Sequence, residues 1–420
     1  MTSRERVIKA INHEEPDRVP LDLGASYTSG ISACALYRLR EYYGLEKRPI
    51  GLTDPAQLLG QMDDDIVERM GIDVIALQNP FDCIGVTLRG EMQDFVMHDG
   101  TPIKIAADHK ITQDEEGKVY LYPQGNDAYG PSWVCPKGGY FFDVMDKAPK
   151  FDEDNLTPAE DFKDDFWQMS DEDADWLAEN AKLLNDTTDK AVLGALGAGS
   201  IGSPAFIPGG HVLQPKGIRS FQDWCMAQLL YPEYVEEVFE MQTQNCIKNL
   251  EIYHQAVGDN IQIVSISGTD FGTQNGPIMS LDTFEELYMP YYKRMNDWVH
   301  QNTNWKTYYH SCGAVYEFLD DFVEMGVDII NPVQLNAAGM DAHKLKENYG
   351  DKLVFWGGGI ETQTVLPNAT PEKVREEVRK NLDALAHGGG YVFNTIHNIM
   401  GDIPAENIAA CYDAARNYQF

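Results

Sequence analysis

Short apolar stretches alternate with amphipathic helical patterns along most of this chain. The rhythm is regular from Ala191 onwards, and two earlier stretches extend it towards the amino terminus. The strand-like stretches are residues 18–24, 72–77, 191–197, 261–267, 305–309, 327–332, 353–356 and 391–396. Alternation of strands and helices predicts a parallel sheet, and eight such units predict an α/β fold closed into a (β/α)8 TIM barrel.

The segment between the second and third stretches breaks this rhythm. Period-two patterns from about residue 86 to 122, interrupted by glycine-containing turns, predict a small antiparallel β meander. Residues 152–189 are acidic and helical in pattern. We interpret residues 1–420 as one barrel domain with a helical amino-terminal extension, capped by Thr2 and Glu5, and an insertion over approximately residues 86–190.

Two later helices have clear boundary signals. Ser280 is placed to cap one of them, and Pro290 predicts a kink within it. The other begins at Thr370 with Pro371 in its first turn, and the glycines at 388–390 end it.

Charge and cysteine content exclude several classes of partner. The 420 residues carry a formal charge of −33, so the chain lacks the basic surface that nucleic acids require and would be repelled by an anionic membrane. The seven cysteines form no C-x-x-C pair, and the amino terminus has no apolar signal core, so we expect reduced thiols and a cytoplasmic location. The oligomeric state is left open, with a homodimer as one possibility.

Two strand ends carry residues that bind metals. His310 and Cys312 follow an aromatic strand and are separated by one residue, so in an extended backbone their side chains point the same way. His397 follows another strand. Three such ligands with one open position are typical of a catalytic zinc site. The alternative is a buried cysteine beside a hydrogen-bonded core histidine.

Other polar residues follow the predicted strands. Asp270 is a candidate general acid or base, or a turn-forming residue beside Gly272. Glu361 is a candidate catalytic carboxylate, or the cap of the next segment. The candidate substrate-binding residues are Gln274, Tyr308, Asn331, Gln334 and Trp356. For the aromatic residues among them, the alternative is a place in the barrel core. The two amides Asn331 and Gln334 also suit a contact with a metal-binding imidazole.

The glycines at 197, 199 and 202 match the spacing of a dinucleotide-binding loop. That loop needs a helix to begin within it, and Pro204 and Pro208 prevent this. Close approach of backbone at a barrel mouth is the better interpretation of these glycines.

Taken together, several blocks resemble the uroporphyrinogen decarboxylase superfamily. They are TSRERV at 2–7, DRVP at 17–20, DFGTQNGP at 270–277, HSCG at 310–313, NPVQ at 331–334, WGGGI at 356–360, and His397 with PAEN at 404–407. The resemblance covers most of the chain and implies a (β/α)8 barrel.

Within this superfamily the chain departs from the decarboxylase pattern. Decarboxylases place paired arginines after the first strand to bind the substrate carboxylates, whereas residues 23–30 here contain no arginine. The His-x-Cys-Gly block resembles the corrinoid-dependent methyltransferases instead. That resemblance implies a zinc ion bound by His310 and Cys312, but His397 stands where those thiol-methylating enzymes have a cysteine.

The resemblance implies a methyltransferase that moves a methyl group from a small methylated molecule to the cobalt of a corrinoid-binding partner protein. A methoxylated aromatic, or another O- or N-methyl donor, is the expected substrate. Two alternatives remain open: a methylcobamide-to-thiol methyltransferase, and a decarboxylase-like lyase in which Asp270 and His397 handle the proton without zinc.

Overall fold

The computed structural model describes all 420 residues. Seven parallel strands form one sheet in the order of the chain. They are Val74–Leu77, Ala191–Gly194, Ile263–Ser267, Lys306–His310, Ile329–Asn331, Val354–Trp356 and Tyr391–Val392. Leu21 bridges Phe393 beyond the last strand and Asp22 bridges Val74 of the first, both in parallel, so a short eighth segment closes the sheet into a ring. The predicted (β/α)8 barrel is confirmed.

A buried carboxylate holds this closure. Asp73, which is fully buried, accepts hydrogen bonds from Arg6 at 2.8 Å, from Arg18 at 2.7 Å and from the backbone N–H of Leu21 at 2.9 Å. The guanidinium groups of Arg6 and Arg18 offset the negative charge of Asp73, so the buried carboxylate is not left unpaired. The amino-terminal helix, the closing segment and the next strand are thereby tied together.

Helices surround the barrel. Their bounds are Ser3–Ile11, Ala33–Tyr42, Asp64–Met70, Pro158–Asp161, Asp171–Thr187, Phe221–Leu230, Pro232–Val257, Leu281–Leu287, Met289–Asn302, Leu319–Glu324, Ala342–Tyr349, Val365–Asn368, Pro371–Leu385 and Ala405–Arg416. The capping box at Thr2 and the caps at Ser280 and Thr370 are present. The expected kink near Pro290 is a break at Tyr288 between two helices, and Pro290 lies in the first turn of the second. None of these helices is both long and apolar enough to cross a membrane.

The inserted segment contributes to two small sheets, the first of which also contains two strands that precede Val74–Leu77. The first has the order Leu59–Gly60, Ile50–Asp54, Pro102–Ala106, Met92–Val96, and the second has the order Ile111–Gln113, Val119–Leu121, Trp133–Cys135, Asp143–Val144. Sequence patterning did not indicate Ile50–Asp54, which pairs in parallel with Pro102–Ala106. A five-residue strand whose partner lies about fifty residues away is fixed by tertiary pairing and carries too short a pattern to detect.

Side chains fill the barrel interior. Thirteen buried residues form this cluster: Val7, Ala10, Ile11, Ala25, Val74, Ala191, Leu193, Ile263, Tyr308, Ile329, Val354, Trp356 and Val392. Because the interior is packed, ligands have access only at the ends of the barrel, and chemistry in this fold takes place at the carboxyl ends of the strands.

Candidate metal centre and active-site cavity

His310 is the last residue of the strand Lys306–His310 and is 5% exposed. Its Nε2 atom lies 3.3 Å from the Cys312 Sγ atom. Its ring lies 5.5 Å from that of His397, at an interplanar angle of 74°. Two strand ends separated by more than eighty residues in sequence therefore place an imidazole–thiol pair beside a second imidazole.

Asn331 fixes the orientation of the His310 ring. This residue ends the neighbouring strand, is 1% exposed, and its Oδ1 atom lies 2.7 Å from His310 Nδ1. Since an amide oxygen is only an acceptor, Nδ1 carries a proton, and Nε2 is the ring nitrogen that can bind a metal once its own proton is displaced. Asn331 is itself held, because its Nδ2 donates to the Trp356 carbonyl at 3.0 Å and its Oδ1 accepts from Thr28 at 2.9 Å.

The donor set suits zinc. One ligand atom from each of His310, Cys312 and His397 lies within 4.8 Å of the others. Bond lengths of about 2.0–2.1 Å to nitrogen and 2.3 Å to sulfur place tetrahedral ligand atoms roughly 3.3–3.6 Å apart. The His310–Cys312 separation of 3.3 Å already lies in this range, and His397 requires a shift of at most about 1.5 Å. Nε2 of His310 faces the thiol at 3.3 Å, so the three residues fit such an ion.

The protonation states of these groups are linked. Burial opposes a charge on His310, but its contacts with Cys312 and Asp270 outweigh this effect and hold the pKa of His310 well above its ordinary value. Burial, and then the charge of His310, lower the pKa of His397 to about 4, so His397 is neutral at pH 7. Burial raises the pKa of the Cys312 thiol, and His310 offsets part of this rise. A divalent cation would displace the proton from this pair.

Asp270 lies at the edge of the metal-binding group. Its Oδ1 atom accepts a hydrogen bond from the Cys312 backbone N–H at 2.8 Å and lies 3.5 Å from His310 Nε2. Burial alone would raise the pKa of Asp270, but the hydrogen bond and charge of His310 and the Cys312 N–H lower it. Asp270 is therefore an ionised group that supports the turn and faces the imidazole.

Two glycines allow the turn after His310 to pack against the neighbouring loop. Gly313 has φ of +89°, and a Cβ added to it would lie 2.3 Å from the Gly272 carbonyl carbon. The two backbones are joined by hydrogen bonds from Gly272 N to Cys312 O at 3.2 Å and from Ala314 N to Thr273 O at 2.8 Å. Backbone-to-backbone packing thus fixes the position of Cys312.

A cavity of about 250 Å³ opens over this centre. Its wall is polar, with only two apolar residues and no arginine or lysine. The lining residues are Gly272, Thr273, Gln274, Cys312, Gly313, Gln334, Asn336, Glu361, Thr362, Gln363, Ile396 and His397. A ligand in this cavity would contact the open side of the metal-binding group and a series of hydrogen-bonding side chains.

The predicted amides Gln274 and Gln334 are on this wall. Gln334 accepts from the Gly313 N–H at 2.8 Å and donates to Gln274 at 2.9 Å, and Gln274 donates onwards to the Asn336 carbonyl. Glu361 also lines the cavity, but its carboxylate accepts from the N–H groups of residues 363–365 and from a threonine hydroxyl. These contacts match the alternative in which Glu361 caps the next segment, since its carboxylate oxygens already accept hydrogen bonds from its own loop.

The predicted aromatic residues lie below the cavity. Tyr308 and Trp356 are 1% and 0% exposed and belong to the barrel interior, so they do not form the cavity wall. The Trp356 indole N–H donates to Asp22 at 2.7 Å, and the Tyr308 hydroxyl lies 3.3 Å from Ser26. Their role in substrate binding remains a prediction.

Sequence reasoning missed several residues of the site. Thr28, which holds Asn331, lies in the loop considered only for its lack of arginine. Asn336, Thr362 and Gln363 are part of the cavity wall. Asn336 stands two residues after Gln334 and Gln363 two residues after Glu361, so the polar loops beyond the strand ends were the available signal.

Comparisons with known proteins agree on a family. The model of the uroporphyrinogen decarboxylase (URO-D) family matches residues 143–418. The uroporphyrinogen decarboxylase of Geotalea uraniireducens is 26% identical over 245 residues, which are 56% of this chain and 63% of that protein. The enzyme of the same name from Pseudoalteromonas atlantica is 34% identical over 79 residues, 19% of this chain and 21% of that protein. The chain thus matches between about a fifth and two thirds of the length of these relatives.

One solved structure extends the likeness over the whole fold. A methyltransferase from Methanosarcina mazei superposes with a TM-score of 0.54 and 15% sequence identity, covering 99% of this chain and 98% of the other. At this level of identity the likeness shows a shared fold and does not transfer an activity.

Proposed function

The chain belongs to the uroporphyrinogen decarboxylase family, and we propose that it is a methyltransferase of that family. In this proposal it takes the methyl group of a small O- or N-methylated molecule and transfers it to the cobalt of a reduced corrinoid carried by a partner protein. One observation carries the proposal: His310, Cys312 and His397 converge beneath a polar cavity at the carboxyl ends of the barrel strands.

Demethylation of an ether or amine requires a site that stabilises the leaving group. Held by His310, Cys312 and His397, zinc would supply a Lewis acid for negative charge that develops on a leaving oxygen. Asn331 keeps Nε2 of His310 directed at that position. The amides of Gln274 and Gln334, fixed by each other, offer hydrogen bonds that orient a polar donor on the cavity wall.

The cavity wall also bears on the substrate. Only Cys312 and Ile396 are apolar among the lining residues, and no aromatic side chain is present. A small donor with hydrogen-bonding groups beside its methyl group fits this wall better than a methoxylated aromatic of ordinary size. The volume of about 250 Å³ limits the donor to a small molecule, since drug-sized ligands occupy pockets of roughly 300–1,000 Å³.

Decarboxylation of uroporphyrinogen fits the site poorly. That substrate carries eight carboxylates, and its binding requires cationic partners for them. The cavity wall has no arginine or lysine, and Glu361 adds a negative charge. The loop after the first strand places Ser26 and Thr28 near Tyr308 where an arginine pair would be required. A lyase acting on a smaller carboxylate would meet the same lack of positive charge.

Metal content is the first test. Protein purified without added zinc should contain about one zinc ion per chain by mass spectrometry, and Cys312→Ser should lose it. Cys225→Ser, which changes a thiol outside the metal-binding group, is the matched control and should keep the metal. A wild-type protein free of zinc that also fails to bind added zinc would remove the basis of the proposal.

Methyl transfer is the second test. The protein is incubated with free cob(I)alamin and a panel of small methyl ethers, methylated amines and methyl thioethers, and formation of methylcobalamin is followed by absorbance. At least one ether or amine should react, and His310→Ala should abolish the reaction whereas His343→Ala, an exposed histidine, should not. If no donor methylates the corrinoid, but a carboxylated compound releases carbon dioxide, the lyase alternative is correct.

A further inference from the structure

The helix Phe221–Leu230 presents apolar side chains to solvent. We define its apolar rim face as Phe221, Cys225, Met226, Leu229 and Leu230. Phe221 is 51% exposed, Met226 47%, Leu229 74% and Leu230 58%, and Cys225 is partly exposed. Their spacing of four, five, eight and nine residues from Phe221 places them on one side of the helix.

The opposite side of the helix is already occupied. Trp224 and Ala227 are buried, and the Trp224 ring packs 6.1 Å from that of Phe239 on the following helix. A surface helix ordinarily directs polar residues outward, and only Gln222 does so here between the apolar ones. A contiguous apolar face that the chain itself leaves uncovered indicates an interaction surface.

This face lies at the end of the barrel where the cavity opens. In a βα unit the helix begins at the carboxyl end of the preceding strand and runs back along it. Leu229 and Leu230 immediately precede the helix Pro232–Val257, which returns the chain to the amino end of the strand Ile263–Ser267. The apolar rim face therefore belongs to the unit that begins with the strand Ala191–Gly194, and it lies at the same end of the barrel as His310, which ends the strand Lys306–His310.

Charge disfavours a second copy of this chain as the occupant. Asp223 stands at one edge of the face, and the exposed Glu233 stands in the first turn of the next helix. Two copies would bring like charges together at both edges, and each chain carries a net charge of −33. Juxtaposed like charges disfavour association, whereas a partner with an apolar centre and basic edges complements this surface.

We propose that the apolar rim face docks the corrinoid-carrying partner protein; this inference rests on the proposed function. A stable interface covers about 800 Å² on each partner, a patch roughly 30 Å across. A protein that places its cobalt over the cavity must cover the carboxyl end of the barrel, which is the end at which the apolar rim face lies. The apolar rim face supplies the desolvated centre of the contact, and the carboxylates guide the approach.

The test compares two methyl acceptors. Free cob(I)alamin needs no docking, whereas the corrinoid-binding proteins encoded by the same genome, purified and loaded with cobalamin, do. The double variant Met226→Asp/Leu229→Asp changes only exposed side chains. Leu183→Asp, on an exposed site of the helix Asp171–Thr187, is the matched control.

The double variant should methylate free cob(I)alamin within about twofold of the wild type and lose about tenfold or more in kcat/KM with the protein-bound corrinoid. Leu183→Asp should change neither rate, and the wild-type reaction with the protein acceptor should slow as salt is raised. Equal rates of variant and wild type with both acceptors would refute the docking proposal, as would a wild type that uses free cob(I)alamin but none of the corrinoid proteins. A wild-type dimer that the double variant dissolves, measured by light scattering, would assign the face to self-association instead. Failure of the wild type with both acceptors would refute the proposed function itself.

Discussion

Removing the side chain of Asn331 tests whether the neighbouring strand controls the metal centre. Asn331→Ala deletes the 2.7 Å contact to His310 Nδ1, so the imidazole is free to rotate or change its tautomer. Loss of such an orienting contact lowers metal affinity by about 10–100-fold. That range corresponds to about 1.4–2.8 kcal/mol of binding free energy.

The same substitution has a separate effect on folding. It leaves the buried Trp356 carbonyl and the Thr28 hydroxyl without their partner, which lowers the free energy of unfolding by about 1–3 kcal/mol. Asn296→Ala is the matched control, because Asn296 is equally buried and donates to the Met325 carbonyl far from the cavity. Both variants should be destabilised, but only Asn331→Ala should bind zinc more weakly.

Zinc dissociation constants are measured by competition with a chromophoric chelator, and cobalt(II) substitution reports the thiolate ligand by its visible absorption. Asn331→Asp keeps an oxygen that accepts from Nδ1 and should restore most of the affinity. The reasoning is wrong if Asn331→Ala binds zinc as tightly as the wild type under conditions in which Cys312→Ser does not bind it.

Three further substitutions test other parts of the structure. Asp73→Ala leaves Arg6 and Arg18 without their shared carboxylate, and urea unfolding should show a loss of roughly 3–5 kcal/mol. Burial raises the pKa of Asp22 to about 6, so between about pH 4 and 6 the folded chain keeps a proton that the unfolded chain releases. The free energy of unfolding should therefore fall by roughly 3 kcal/mol over this range. Asp22→Asn should remove this fall, which is measured by urea unfolding as a function of pH. Gly313→Ala places a methyl group 2.3 Å from the Gly272 backbone and should abolish zinc binding, measured as metal content, whereas Gly138→Ala has a similar φ of +77° but open space around it and should not.

The barrel could be predicted because its signals are local. The strands are short apolar runs, and several helices carry their own cap, as at Thr370 and Pro371. The closing segment was the least well predicted from its pattern, since only Leu21 and Asp22 of residues 18–24 form bridges to the sheet. Its position depends on the ion pairs of Asp73, which lie between segments far apart in sequence and leave no periodic pattern.

The sequence predicted which metal-binding residues of the candidate site lie together, but it did not predict the contacts that orient them. Strand alternation and strand ends indicated that His310, Cys312 and His397 converge, because parallel strands of a closed barrel end at one face. Alternation also places Tyr308 on the same side as His310, but one pleat deeper, where the interior is packed. The contact between Asn331 and His310 depends on the register of two strands, which pairs them directly and which the sequence does not specify.

The presence of His397 in place of a cysteine favours one branch of the chemistry. Two neutral imidazoles and one thiolate carry a single negative charge, whereas one imidazole and two thiolates carry two. A divalent cation held by His310, Cys312 and His397 would therefore retain more positive charge and would polarise an oxygen more strongly. Activation of a thiol for methylation benefits from an electron-rich centre that releases a reactive thiolate. The donor set, together with a wall that lacks both cations and aromatic side chains, thus favours removal of a methyl group from a small polar donor over methylation of a thiol.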